Sequence, residues 1–285
     1  MTRDWLEGAI DCHVHTAPAM VDREQADAAL ARDALEAGMA GVVVKSHVVP
    51  TVGRVDAVND AVGERVLYGG ITLNGSVGGL NLEAVETALE LGAAIVWLPT
   101  TWARNHASRA RAAGESTFVG QRVPTAEEDL IVAEDGEVTP PTRRIIELVA
   151  EHDAVIATGH VSPAEIEAVV DASASAGATC LINHPFFRVT DLSIDTQAAL
   201  AERGAIMEYC AYAIESTPGH TAADVADALE RLGPDHCVLA TDYGQAGNPA
   251  VPGLGDYAQA VVDAGASVES VTQSLTATPA SLLES

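Results

Sequence analysis

The sequence predicts an α/β fold, a (β/α)8 TIM barrel with a long insertion between the fourth strand and its helix that carries a hairpin. Three observations predict it. Short β-branched runs alternate with Ala/Glu/Leu stretches of helical period along the 285 residues. The strand candidates are continuous apolar runs, such as Val42-Val43-Val44, Val155-Ile156, Cys180-Leu181-Ile182 and Val238-Leu239. That pattern suits parallel strands covered on both faces. Gly38, Gly63, Gly92, Gly177, Gly204 and Gly233 close helical stretches just before the next strand, the usual C-cap position. An open doubly wound sheet is the structural alternative.

Taken in order, the predicted strands are 8–15, 41–47, 66–74, 94–99, 154–160, 179–184, 205–210 and 237–242. Helices are predicted at 23–37, 52–63, 80–91, 140–152, 163–176, 195–203 and 221–232, with a last helical region from 254 to the end. Residues 1–285 are read as one barrel domain. The connection 100–140 is too long for a plain loop. Its Asp135-Gly136 pair, set between β-prone residues, signals a hairpin. A segment placed after a barrel strand lies at the catalytic end, which makes it a lid; a surface embellishment or a subunit contact is the alternative.

Polar side chains gather where the predicted strands end. Strand one ends Asp11-Cys12-His13-Val14-His15, and residues two apart share a face, so His13 and His15 point the same way. Strand two ends Lys45-Ser46-His47, strand three ends at Asn74, strand five at His160 and strand six at Asn183-His184; strand seven carries Glu208, and strand eight ends at Asp242. In a barrel these ends form one ring. Five imidazoles with carboxylates in one pocket indicate a metal site, although any one of them alone reads more simply as a buried, hydrogen-bonded histidine. His106, His152, His220 and His236 fall in loops or at helix ends and are read mostly as surface residues, with His106 and His220 as weak pocket candidates.

Composition narrows the function. The chain has 41 acidic and 15 basic residues, a net charge of −26, and only one lysine, Lys45. So acidic a surface repels phosphates and anionic lipid, which argues against nucleic-acid and membrane partners. No apolar run approaches the roughly 18 residues of a membrane span. Cys12, Cys180, Cys210 and Cys237 form no CxxC pair and read as reduced thiols of a cytoplasmic protein. The acidic, lysine-poor balance suits a salt-adapted, halophilic-like protein; GC-rich codon bias is the alternative. Lys45, kept behind three valines, is expected to lose its charge on burial. A neutral amine there serves as a base or as a carbamate bridging two metals; an ion pair with Glu208 or Asp242 is the other reading.

These residues resemble the amidohydrolase superfamily of metal-dependent hydrolases. The Asp11–His15 opening is similar to its strand-one motif, and His160, His184 and Asp242 match its ligands from strands five, six and eight. Thr278-Pro279-Ala280-Ser281-Leu282-Leu283 is similar to its Asn-Pro-Ala-x-x-Leu tail. The chain looks most like a small branch with Lys-x-His on strand two, Gly-His-x-Ser on strand five and Thr-Asp-x-Gly-Gln at 241–245. Strand four departs from the pattern: Leu98-Pro99-Thr100 offers no bridging ligand, and Lys45 is the candidate to replace it. Residues 41–51 are also similar to the second motif of the polymerase-and-histidinol-phosphatase family, but strand three lacks that family's glutamate.

The resemblance implies a hydrolase that activates water for attack on an amide, lactone or related ester bond of a small molecule. His13, His15, His160 and Asp242 are expected to hold one divalent metal, zinc by ligand type, with manganese or iron as alternatives. His184, with Lys45 or His47, is the candidate for a second. Asp242, His184 and Lys45 are the catalytic candidates. Asn74, Trp102, Arg104, Arg188, Glu208 and Gln245 are the substrate-binding candidates. A metal-dependent phosphoesterase and a non-catalytic metal- or metabolite-binding barrel are the rival functions. Homo-oligomerisation stays open.

Overall fold

The computed structural model describes residues 5–283. Its first elements are β1 (Ile10–Val14), α1 (Asp27–Glu36), β2 (Gly41–Val44), α2 (Val52–Val62), β3 (Leu67–Tyr68), β4 (Gly70–Thr72), α3 (Leu82–Glu90) and β5 (Ile95–Trp97). The 100–140 segment contributes α4 (Arg104–Ala112), β6 (Thr117–Phe118), β7 (Gln121–Arg122), β8 (Ala133–Glu134) and β9 (Glu137–Val138). Then come α5 (Pro140–Glu151), β10 (Val155–Ala157), α6 (Pro163–Ala176), β11 (Thr179–Asn183), α7 (Ile194–Ala201), β12 (Ile206–Cys210) and α8 (Ala211–Glu215). The last are α9 (Ala222–Leu232), β13 (Cys237–Ala240), α10 (Ala250–Asp263), α11 (Val268–Leu275) and α12 (Ala277–Leu283).

Two parallel sheets result, β1-β2-β3 and β13-β12-β11-β10-β5-β4. The expected third strand is split between them at Gly69. A Cβ there would lie 2.6 Å from Val52 Cα, so this close backbone approach requires glycine. At the other seam Asp242 N donates to His13 O and His15 N to Tyr243 O, each at 2.8 Å, and Val14 bridges Tyr243 in parallel. This mixed α/β architecture is consistent with a TIM barrel.

Strand residues alternate between two apolar layers. Val42, Val44, Val96, Ile156, Ile182, Met207 and Leu239 pack with helix residues such as Leu30, Val85, Ile145 and Leu254. Ile10, Cys12, Val43, Ile95, Trp97, Val155, Ala157, Leu181 and Val238, drawn from both sheets, form a second cluster on the opposite face. The register of β1 against β2 shifts between Asp11 and Val14. That irregularity lets His13 and His15 follow Cys12 onto the same side, which strict alternation forbids.

Several expectations need correction. The strands stop earlier than their apolar runs suggested, because the chain turns at the polar ends: His184 and Asp242 adopt left-handed backbone, with φ of 49° and 53°. The helical region expected from 254 onward is three helices starting at Ala250, with Ser267 capping α11 by accepting from Ser270 N at 3.0 Å. Residues 1–4 and 284–285 lie outside the described residues. The 100–140 segment is more ordered than a loop with one hairpin. The β8–β9 hairpin turns on Asp135 and Gly136, both left-handed at 52° and 83°, as a two-residue turn requires. A second hairpin, β6–β7, and helix α4 were not foreseen. Glu165 Oε1, from the capping box of α6, accepts from Val132 N at 3.0 Å and ties the segment down. The four cysteines are free and buried. Among the described residues no helix is long and apolar enough to cross a membrane.

Candidate metal centre

The strand ends converge on a cavity of about 340 Å³, whose wall includes His13, His15, Lys45, His47, His160, His184, Asp242 and Gln245. Residues from both ends of the chain thus meet, His13 standing 3.3 Å (Nε2 to Oδ1) from Asp242. Their placement depends on backbone contacts. Asp11 accepts from His13 N and Thr241 N, each at 3.1 Å, and from Thr241 Oγ1 at 2.6 Å, pinning the first strand to the last. Burial raises the Asp11 carboxyl to about 7. Gly244 follows the turn at Asp242; a Cβ there would lie 1.7 Å from His15 O.

His13 and His15 each have one ring nitrogen committed. Glu208 Oε2 lies 2.9 Å from His13 Nδ1 and also accepts from Asn183 Nδ2 at 2.7 Å. An ionised Glu208 can only accept, which places the His13 proton on Nδ1 and leaves Nε2 its lone pair. The Lys45 carbonyl can only accept, so His15 Nδ1 donates to it at 2.9 Å and Nε2 is again bare. Both bare nitrogens face Asp242 Oδ1, at 3.3 Å and 3.0 Å. His184 Nε2 lies 3.8 Å from Asp242 Oδ2. Lone pairs aimed at a carboxylate repel unless a cation lies between them.

The electrostatics favour the same state. Burial holds His13, His15, His47 and His160 far below the ordinary imidazole range, and His184 down to about 3. Neutral imidazole is the ligating form. Two groups bring donor atoms within 4.8 Å of one another: His13, His15 and Asp242; and His13, His184, Glu208 and Cys210. Buried polar atoms without a partner include His13 Nε2, His184 Nδ1, Glu208 Oε1 and Lys45 Nζ. This donor set fits a divalent cation.

The other candidates are distributed unevenly. His47 stacks on His15 at 4.9 Å between ring centroids. His160 stands outside both close groups, its ring 5.6 Å from that of His184. Its Nδ1 is tied to His106 Nδ1 at 2.7 Å, so His106, expected mostly at the surface, is a buried prop. Burial lowers Lys45 against the opposing pull of Asp242 and Glu208, and its ammonium lies 5.4 Å from the Trp97 ring centroid.

Of the six expected substrate contacts, the structure brings only Gln245 to the cavity wall. Asn74 is fully buried and occupied: its amide donates to His47 O and Thr100 Oγ1, and its oxygen accepts from Thr100 N and Trp102 N. Trp102 lies against Gly75 under the Arg122 guanidinium. Arg104 opens α4 and is exposed, and Arg188 is exposed beside Phe187. Glu208 lies behind His13. Sequence reasoning missed Arg23, Phe118, Val119, Phe187 and Tyr212, which line the cavity from loops, the β6–β7 hairpin and the start of α8. No apolar run or strand end marked them.

A comparison with curated protein sequences gives no match. Among solved structures, the chain is similar to an amidohydrolase from Pseudomonas aeruginosa, with a TM-score of 0.65 at 12% identity over 99% of this chain and 97% of that one. It is similar to a probable 2-pyrone-4,6-dicarboxylic acid hydrolase from Acinetobacter baumannii, with a TM-score of 0.61 at 10% identity over 98% and 100%. A third is the probable dipeptidase PvdM from Pseudomonas aeruginosa, with a TM-score of 0.62 at 11% identity over 97% and 94%. At these identities the likeness is one of fold. The comparisons give no support to the similarity with the polymerase-and-histidinol-phosphatase family. A family model, Family of unknown function (DUF6282), matches residues 8–208, and the chain belongs to that family.

Proposed function

We propose that the chain is a metal-dependent hydrolase acting on an amide, lactone or related ester bond of a small molecule. The observation that carries this reading is the pair of bare imidazole nitrogens, on His13 and His15, facing one Asp242 oxygen. The fold neighbours, an amidohydrolase, a pyrone-dicarboxylate hydrolase and a dipeptidase by their names, support it. We read the two sheets as one eight-stranded barrel and the β6–β7 hairpin as part of a lid over its catalytic end.

His13, His15 and Asp242 would hold the ion, with His184 beside them. A divalent cation, zinc on this nitrogen- and oxygen-donor set, supplies Lewis acidity that makes water a nucleophile near neutral pH and polarises the scissile carbonyl. Asp242 takes the proton of the attacking water at its carboxylate and returns it to the leaving group. Glu208 and the Lys45 carbonyl fix which nitrogen of His13 and of His15 carries its proton. The buried Phe187 and the half-buried hairpin residues Phe118 and Val119 would limit the access of bulk water.

The test is elemental analysis of protein purified without chelator, followed by turnover on amide, lactone and ester panels. Stoichiometric zinc, manganese or iron and chelator-sensitive hydrolysis are expected. Protein that stays metal-free after incubation with zinc or manganese would falsify the reading.

A further inference from the structure

The cavity wall carries four apolar side chains, Val21, Phe118, Val119 and Phe187. It also carries Arg23, in the loop after β1, bridged in antiparallel fashion to Gln245. Glu24 N donates to Gly244 O at 2.9 Å, and Gly247 N to Glu24 Oε2 at 2.7 Å, so the loop is strapped to the turn that carries Asp242. Gln245 is already engaged, its amide donating to Asp242 O at 2.9 Å. Tyr212 and the exposed Asp22 line the same cavity.

Arg23 is unusual for this chain. The other half-buried arginines, Arg54, Arg111 and Arg203, each pair with a carboxylate: Asp27 at 3.1 Å, Asp129 at 2.7 Å and Asp171. Arg23 makes no ion pair among the described residues, Asp242 attracting it only from longer range, and its buried Nε has no hydrogen-bond partner. In a protein with 41 acidic residues, a half-buried guanidinium that makes no close ion pair beside such a cluster keeps its fork for a carboxylate brought by a ligand.

We propose that Arg23 is the anion-recognition residue of this cavity and that its ligand is a small carboxylate, seated with its charge on Arg23 and its apolar body against Phe118, Val119 and Phe187. The proposal rests on the hydrolase reading for what then happens to the ligand, but not for its binding. The planar fork takes both carboxylate oxygens, fixing orientation as well as charge. A volume of about 340 Å³ limits the ligand to a small molecule.

The test is calorimetric binding of 3-phenylpropionate and its neutral partner 3-phenylpropionamide to the full-length protein as purified without chelator, in wild type, Arg23→Gln and Arg23→Lys. Metal content is measured on each. Wild type should prefer the carboxylate by about tenfold or more, the scale of one charge-assisted hydrogen-bond pair. Arg23→Gln should erase that preference with metal content unchanged, and Arg23→Lys should restore part of it. Equal affinity of the two probes for wild type overturns the proposal, as does failure of both to bind. So does a carboxylate preference that survives in Arg23→Gln, which would put the anion on the metal, or a loss of metal in that variant. The hydrolase reading fails separately, if the preference stands and no ester or amide is turned over.

Discussion

The same parallel strands build two regions of opposite character. Toward their starts, Ile10, Val43, Ile95, Val155, Leu181 and Val238 pack as a dry apolar layer. At their ends, equally buried, stand His13, His15, Lys45, His160, His184 and Glu208. The first layer gains free energy from removing apolar surface from water. The second loses it, because several of its polar atoms are buried without partners. Burial is therefore no guide to what a residue contributes here. The lower layer stabilises the fold, and the upper layer draws on that stability to keep polar donor atoms without partners.

The sharpest way to break this contrast is at Asp242. Asp242→Asn keeps the shape, and asparagine tolerates the left-handed backbone found there. We expect turnover to fall by roughly 10²–10⁴-fold, while thermal melting of the metal-free protein changes little. A melt that collapses instead would show that Asp242 is structural.

In the apolar layer the outcome should invert. Leu181→Ala should cost about 2–5 kcal/mol of unfolding free energy in urea titration, with metal content per folded molecule unchanged. Metal loss equal to that of a histidine variant would mean that the two layers are not separable.

The pH response follows from the imidazoles. Six histidines (13, 15, 47, 106, 160 and 184) are held neutral in the fold, His106 down to about 4 and His184 to about 3, against 6.5 when unfolded. Below pH 6.5 the unfolded chain binds protons that the folded chain refuses, so stability falls as pH falls. Asp11, raised to about 7, and Glu208, also raised by burial, act in the opposite sense. Six groups outweigh two. Metal-free protein should lose stability between pH 6.5 and about 5, by up to about 1.4 kcal/mol per pH unit for each net proton. A flat or rising denaturation midpoint over that window would contradict it.

Lys45→Met should stabilise the metal-free protein by about 1 kcal/mol or more, since a buried amine without a hydrogen-bond partner is replaced by apolar volume. Destabilisation in the same urea assay would reveal a native partner for the ammonium. Smallest of all is the surface effect. A net charge of −26 predicts a melting temperature that rises gradually with added salt, most of it below the molar range where screening saturates. No rise would favour codon bias over salt adaptation.

Much of this was legible because parallel strands announce themselves as apolar runs, and the residue that breaks the run marks the end where the site stands. His13, His15, Lys45, His47, His160, His184 and Asp242 were all found that way, and all line one cavity. Arg23 and Tyr212 were not, because loop residues have no period to betray the direction they face. Glu208 was visible but misjudged: its place behind His13 is set by packing across 195 residues of chain. Helix α4 escaped notice because its face carries three arginines and alanines rather than an apolar stripe. Asn74 shows the converse error. An amide at a strand end looks like a ligand contact, yet all of its hydrogen bonds are spent inside the fold.

The Asp11–Thr241 clasp between the first and last strands carries a consequence for biosynthesis. Its partners are 230 residues apart, so the pocket comes into being only after nearly the whole polypeptide has left the ribosome. Any truncation before Ala240 deletes both the clasp and Asp242. A shortened product would keep most of the strands and histidines and still lack the geometry that makes them a site.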